Sequence, residues 1–169
     1  ERAVDAGKTL AKHSANTFDA GSEFGLVTMH RPANVDDPLV LKRLLETLAD
    51  ISQTLPLVFP LHPRTADRVE RNGFGEIIGN GRISLLPPLG YLELLGLMES
   101  ARFVLTDSGG IQEETTALGI PCITMRESTE RPITVEQGTN TIVGSDSEQI
   151  MTCFQDVIRT GGKTGRIPD

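Results

Sequence analysis

The residues Ser108-Gly109-Gly110 form a short polar turn with the chemistry of an anion site. They follow the apolar run Phe103–Leu105, which predicts a buried strand, and precede Ile111–Leu118, which predicts a helix ending at Gly119. In such a unit the unpaired N–H groups of the first helical turn face the carboxyl end of the strand. Two glycines leave this backbone open, the serine hydroxyl adds a donor, and the helix dipole favours negative charge. The turn predicts a phosphate site, although it could also serve only to reverse the chain.

Imidazole and guanidinium groups follow other predicted strands at equivalent positions. The carboxyl ends of parallel strands share one rim of the sheet, so these side chains are expected to converge there. Either histidine alone could instead be a loop residue that caps backbone groups. Together with the glycine turn, the set predicts a crevice that binds a diphosphate. Its members are His30 and Arg31 after the first strand, His62 and Arg64 after the second, and Arg126 and Arg131 after the fifth.

Two carboxylates, Glu113 and Glu114, lie one turn into the helix that follows the glycine turn. Early-helix glutamates commonly compensate the helix dipole. Beside a bound phosphate they could instead accept hydrogen bonds from sugar hydroxyls. The two roles are compatible. Glu130, before Arg131, is interpreted as a solvated loop charge.

Short apolar runs alternate with helical patterns along the chain. This alternation predicts an α/β fold with a doubly wound parallel sheet and right-handed crossovers. The helix from Pro38 has two acidic cap candidates before it and an apolar stripe of leucines at helical spacing. Asp146 or Ser145 is expected to cap the last helix, and Pro60 indicates a strand end or a sheet edge. The tail Gly161–Gly165 is expected to be loose. The predicted strands are Phe24–Thr28, Leu57–Leu61, Ile83–Leu86, Phe103–Leu105, Ile120–Met125 and an extended Thr141–Val143, and the predicted helices are Arg2–Lys12, Pro38–Thr54, Thr65–Arg71, Tyr91–Ser100, Ile111–Leu118 and Ser147–Arg159.

Composition limits the classes of function. The 169 residues suit about one domain, and the net charge of −7 with no basic run argues against a nucleic-acid partner. No apolar stretch approaches the ~18 residues of a membrane span. Cys122 and Cys153 lack metal or redox spacing and read as core residues of a reducing compartment. The chain starts on Glu1 and is expected to be a piece of a longer protein.

Several motifs resemble one enzyme family. VTMHRPANVDD, PLHPR, LLPPLGYLELLGLM and above all TDSGGIQEETTALGIPCITMRESTERP are similar to the carboxyl-terminal domain of the non-hydrolysing UDP-N-acetylglucosamine 2-epimerases. The resemblance covers about residues 24–145 in the same order. It implies that residues 1–169 form one Rossmann-like, UDP-binding domain, the second half of a two-domain GT-B fold. The amino-terminal catalytic domain would then lie outside this chain.

The resemblance also implies roles for individual residues. The glycine turn would hold the diphosphate, a glutamate would bind the ribose, and an arginine would lie near the phosphates. The resemblance places one histidine in the active site and links the other to a second, regulatory UDP-sugar site. Leu94 stands where some members have an aromatic residue near the uracil. The matching positions are Ser108, Gly109 and Gly110 for the diphosphate, Glu114 for the ribose, Arg131 for the phosphates, His30 for the active site and His62 for the second site.

The family's reaction inverts C2 of the sugar. UDP leaves with loss of the C2 proton to give a 2-acetamidoglucal, and it adds back after protonation from the other face. By resemblance, the parent would be a cytoplasmic, homodimeric enzyme that interconverts UDP-GlcNAc and UDP-ManNAc for surface polysaccharide, without a cofactor or metal. The carboxylates that move the C2 proton belong to the amino-terminal domain.

Three alternatives remain open from the sequence. The parent could be a hydrolysing relative that releases free ManNAc. It could be a GT-B glycosyltransferase with a similar nucleotide-binding half, which would need an acceptor for turnover. It could also be a stand-alone nucleotide-sugar sensor without chemistry.

Overall fold

The computed structural model describes residues 3–13 and 23–167. Within them a six-stranded, all-parallel sheet has the order β3-β2-β1-β4-β5-β6. The predicted doubly wound parallel sheet is confirmed. The strand order reverses between β1 and β4, which makes their carboxyl ends a topological switch point. The strands are β1 Gly25–Thr28, β2 Leu57–Pro60, β3 Ile83–Leu86, β4 Phe103–Thr106, β5 Cys122–Thr124 and β6 Asn140–Ile142.

Helices cover both faces of this sheet. Because successive strand residues point to opposite faces, Leu26 and Val104 belong to a core with α1 and α6, whereas Val27 and Leu105 belong to a core with α3 and α9. The helices are α1 Ala6–His13, α2 Pro32–Val35, α3 Pro38–Ser52, α4 Pro63–Arg71, α5 Gly75–Gly79, α6 Tyr91–Ser100, α7 Gly109–Leu118, α8 Pro132–Glu136 and α9 Ser147–Thr160.

The predicted helix signals are confirmed in α3, α7 and α9. The leucine stripe of α3 is buried, and its start is capped by Asp37, whose side chain accepts from Leu39 N. Helix α7 ends at Gly119 in the left-handed conformation, with φ of 73°. Asp146 caps α9 by accepting from Gln149 N. These caps work locally, so short sequence patterns are sufficient to predict them.

Other expectations need correction. The short helices α2, α5 and α8 were not predicted, and Pro32 and Pro132 are the first helical residues of α2 and α8. Pro60 ends β2, as one of its two interpretations required, but β2 is an interior strand and not an edge strand. The tail is not loose, because Lys163 Nζ donates to Val135 O at 2.7 Å. Helix α1 begins at Ala6, so residues 3–5 of the helix predicted over 2–12 are not helical. Residue 2 and the predicted loop around residue 21 lie outside the described residues.

A helix that crosses a lipid bilayer must be about 20 residues long and apolar along that length. Among residues 3–13 and 23–167, none of the helices combines the length and the apolar character needed to cross it.

Candidate functional site

A cavity of about 320 Å³ opens at the switch point between β1 and β4. The loops after β1, β2 and β3 and the start of α7 form its walls. Five of the seven residues to which the resemblance assigns a role in the site border this cavity, whereas Gly109 and Arg131 do not. Its lining residues include His30, His62, Ser108, Gly110, Glu114, Tyr91 and Leu94.

Helix α7 begins at Gly109, two residues before its predicted start at Ile111, so the two glycines of the turn form its first residues. Ser108 occupies the N-cap position with extended φ and ψ of −89° and 133°, but its side chain makes no capping hydrogen bond. A serine present only to start the helix would be expected to cap it. A Cβ on Gly110 would meet no atom within 4 Å, so the backbone there is open to a ligand. The turn therefore leaves a hydroxyl and the first N–H groups of α7 available to an anion.

His30 is held by Asp107, a residue that the sequence analysis did not assign to the site. The Asp107 side chain is fully buried and accepts hydrogen bonds from His30 N at 3.1 Å, Arg31 N at 2.9 Å and Asn34 Nδ2 at 3.0 Å. His30 Nδ1 lies 3.3 Å from Asp107 Oδ1. The available signal was a carboxylate that follows the apolar run Phe103–Leu105 after a single threonine, at the end of a predicted buried strand, where a buried charge requires donors.

His62 lies beside His30 in the same cavity. The two rings are stacked, with centroids 5.3 Å apart and planes at 29°. His62 is the N-cap of α4, and its Nδ1 accepts from Arg64 N at 3.1 Å. The capping role expected of a loop histidine is thus present here, together with a place in the cavity wall. Both imidazoles can face one ligand.

Glu114 and Tyr91 meet at another wall of the cavity. The Tyr91 hydroxyl is hydrogen-bonded to the Glu114 carboxylate. Burial raises the pKa of Glu114; the Tyr91 hydrogen bond opposes this, and the neighbouring charge of Glu113 adds to it. The negative charge of Glu114 is the main cause that raises the pKa of Tyr91. A carboxylate and a phenol in contact are suited to hydrogen-bond vicinal hydroxyls.

Three of the four arginines that were expected to line the rim, Arg64, Arg126 and Arg131, are paired with carboxylates. The fourth, Arg31, borders a separate cavity. Arg64 pairs with the Asp36 carboxylate. The Arg64 hydrogen bond holds the pKa of Asp36 below its usual value. The expectation that Arg64 contributes a free donor to the crevice is therefore wrong. Arg68 shares the same carboxylate at 3.1 Å.

Arg126 and Arg131 belong to the loop between β5 and α8, residues 125–131, which we call the arginine loop. Arg126 holds Glu130 through two contacts of 2.8 and 2.9 Å, and this hydrogen bonding lowers the pKa of Glu130 to about 2. The Glu130 carboxylate lies 2.6 Å from the position of a Cβ on Gly109, so it covers that glycine. Glu130 is therefore an exposed loop charge, as interpreted from the sequence, and its pairing with Arg126 holds it over the turn.

Arg131 Nε lies 2.8 Å from Glu113 Oε1. The buried Nε has no hydrogen-bond partner among the described residues. Arg131 and Glu113 therefore interact as an ion pair. Arg131 thus stands next to α7 without lining the cavity.

A buried amide network connects α7 to this loop. Gln112 is fully buried; its Nε2 donates to Ser108 O at 3.2 Å, and its Oε1 accepts from Thr129 Oγ1 at 2.6 Å and Asn140 Nδ2 at 2.9 Å. Thr129 Oγ1 accepts from Arg131 N at 2.9 Å. The network therefore joins the glycine turn, the arginine loop and β6, which the sequence analysis did not foresee.

Comparisons with known proteins agree with this architecture. The family model described as UDP-N-acetylglucosamine 2-epimerase matches residues 3–167. The UDP-N-acetylglucosamine 2-epimerase of Methanocaldococcus jannaschii is 42% identical over 83% of this chain and 39% of its own length. The UDP-2,3-diacetamido-2,3-dideoxy-D-glucuronate 2-epimerase of Pseudomonas aeruginosa is 37% identical over 87% of this chain and 41% of its own.

A solved structure of the Methanocaldococcus jannaschii UDP-GlcNAc 2-epimerase, in complex with UDP-GlcNAc and UDP, gives a TM-score of 0.77. It is 39% identical and aligns with 82% of this chain and 39% of its own chain. This chain spans about two fifths of the length of the curated relatives named above. Its fold is the Rossmann-like half of a GT-B arrangement. The chain therefore belongs to the UDP-N-acetylglucosamine 2-epimerase family.

Proposed function

We propose that this chain binds the UDP portion of a nucleotide sugar for a UDP-N-acetylglucosamine 2-epimerase. The observation that carries the proposal is the convergence of the uncapped turn at Ser108, two stacked imidazoles and the Glu114 carboxylate on one cavity at the switch point. A diphosphate on the N-terminus of α7 would meet backbone N–H groups, the Ser108 hydroxyl and the imidazoles. The ribose hydroxyls would then reach Glu114 and Tyr91.

The proposed reaction is interconversion of UDP-GlcNAc and UDP-ManNAc through a 2-acetamidoglucal. When UDP departs, negative charge develops on its diphosphate, and donors aimed at that charge lower the barrier. His30 donates a hydrogen bond or a proton to this leaving group. The site also retains UDP until it adds back. The groups that exchange the C2 proton are carboxylates of the parent's amino-terminal domain.

The wider proposals concern the parent protein. Its partners are UDP and a UDP-N-acetylhexosamine, its own amino-terminal domain and a second copy in a homodimer. It is a cytoplasmic enzyme that supplies polysaccharide biosynthesis. Arg131 and Gly109 contribute by completing the phosphate side of the turn, and His62 contributes to a second UDP-sugar site that regulates activity.

A second candidate differs in the sugar and not in the nucleotide. The Pseudomonas aeruginosa relative is named for a diacetamido-glucuronate substrate, at nearly the same identity as the archaeal one. The contacts proposed for the cavity residues are with the ribose and the diphosphate, and not with the sugar that distinguishes the two candidates. UDP binding is therefore common to both candidates. Competing UDP-sugars, assayed with the full-length parent, would separate them, and release of free sugar would identify a hydrolysing enzyme.

Isothermal titration of this chain with UDP, UMP and uridine tests the proposal. We expect micromolar-to-millimolar binding of UDP, weaker binding of UMP and weakest binding of uridine. Ser108→Ala removes one hydrogen bond to a charged group and should weaken UDP binding by roughly tenfold to a hundredfold. Ser100→Ala, at the exposed end of α6, is the matched control and should change nothing.

Two outcomes would contradict the proposal. One is equal affinity of the chain for UDP and uridine, because the diphosphate would then make no contact. The other is UDP-sugar epimerisation by the purified chain, because the carboxylates that move the C2 proton would then lie here and not in the amino-terminal domain.

A further inference from the structure

The contacts of Asp107 are divided unequally between its two oxygens. Oδ2 accepts from Arg31 N at 2.9 Å, Asn34 Nδ2 at 3.0 Å and His30 N at 3.1 Å. Oδ1 faces His30 alone, with the backbone N at 3.2 Å and ring Nδ1 at 3.3 Å. Oδ2 thus holds the backbone of the loop, and Oδ1 is left for the ring.

This division has a consequence for the imidazole. The Asp107 side chain is fully buried, so its charge is stabilised only by donors that point at it. A neutral histidine carries one proton, on either Nδ1 or Nε2. With Nδ1 bare, two lone pairs would face each other at 3.3 Å, whereas Nδ1–H would give the carboxylate another donor.

We propose that Asp107 is a positioning residue that holds His30 in the Nδ1–H tautomer and so presents Nε2 to the cavity. This assignment rests on the function proposed above, and it specifies that Nε2 is the atom of His30 that contacts the diphosphate. In the neutral ring Nε2 accepts a proton, and in the protonated ring it donates to a phosphate oxygen. A ring that could rotate or change tautomer would lose that orientation.

His62 provides an internal reference. Its Nδ1 accepts a hydrogen bond from Arg64 N at 3.1 Å, so its neutral form carries the proton on Nε2. Two imidazoles whose centroids are 5.3 Å apart therefore hold opposite tautomers. Any general change of solvent or packing would affect both rings, whereas the loss of Asp107 would affect one.

The test is long-range ¹H–¹⁵N correlation NMR of the uniformly ¹⁵N-labelled chain, at a pH where the imidazoles are neutral. We expect His30 to show a protonated Nδ1 and His62 a protonated Nε2. Asp107→Asn can place its amide oxygen where Oδ2 lies and keep the loop contacts. Its NH₂ group then faces the ring, so the His30 proton is expected to move to Nε2 while His62 is unchanged.

A second variant separates positioning from damage to the loop. Asn34→Ala removes one donor from Oδ2 and leaves Oδ1 with the ring, so the His30 tautomer should stay on Nδ1. The inference is overturned if wild-type His30 carries its proton on Nε2. It is also overturned if Asp107→Asn leaves the tautomer unchanged while the Arg31 and Asn34 amide resonances keep their positions.

These spectra are recorded without ligand, so they do not depend on UDP binding. If UDP fails to bind the wild-type chain, the proposed function fails while the tautomer assignment stands. If UDP binds but the His30 proton is on Nε2, the assignment to Asp107 fails while the proposed function stands.

Discussion

Replacing Gln112 by leucine tests the buried network that joins α7 to the arginine loop. The substitution keeps a similar volume but removes one donor and the acceptor of two hydrogen bonds. Asn140 Nδ2 retains a bond to Thr134 Oγ1 at 3.1 Å, whereas Thr129 Oγ1 loses its acceptor. Leaving such groups without partners costs about 1–3 kcal/mol each, so we expect a loss of about 2–4 kcal/mol in the free energy of unfolding.

Urea unfolding followed by circular dichroism measures this loss, and a thermal melt should show a decrease in Tm of roughly 5–15 °C. Gln155→Leu, at an exposed position of α9, is the matched control and should stay within about 0.5 kcal/mol of wild type. A Gln112→Leu variant as stable as the control would refute the reasoning, because the network would then carry no net energy. The folded variant should also bind UDP more weakly, since Thr129 no longer holds the Arg131 loop to α7.

Two further predictions concern the glycines and the acid limit of stability. The added Cβ of Gly110→Ala would meet no atom within 4 Å, so this variant should keep its melting temperature while binding UDP more weakly. The added Cβ of Gly138→Ala would lie 2.3 Å from Thr116 Oγ1 and 2.6 Å from Thr134 O, so this variant should melt at a clearly lower temperature. Equal melting temperatures of the two variants would contradict this. Glu130 has its pKa lowered from 4.5 to about 2, so its pairing with Arg126 stabilises the fold above pH 4.5 and is lost as the pH falls through 2. Glu130→Gln should flatten the stability curve in that window at low salt, and an unchanged slope would argue against the pairing.

The sheet and the place of the site could be predicted because both depend on short-range patterns. Apolar runs of strand length between turns indicate buried parallel strands, and the geometry of a parallel sheet brings their carboxyl ends to one rim. His30, His62 and Ser108 are accordingly found at one cavity. Glycine at the end of α7 and aspartate at the start of α9 act on neighbouring residues and were read correctly.

The partners of the polar groups could not be predicted, since they are distant in the sequence. Asp107 meets the loop 76 residues before it, and Arg64 meets Asp36 across 28 residues. Nothing near Arg64 indicates that its charge is already paired. In the sequence, Gln112 looks like any polar residue of a short helix. Its buried role depends on a hydrogen bond from Asn140 of β6, which is 28 residues away.

Amide chemical-shift mapping of bound UDP tests most directly whether the diphosphate binds at the start of α7. We expect the largest shifts at Gly109, Gly110 and Ile111, with further shifts at His30 and Glu114. All of these shifts should saturate at the same UDP concentration. Largest shifts around Arg126 and Gly144, which border a separate cavity of about 350 Å³, or at the amino ends of the strands, would contradict it.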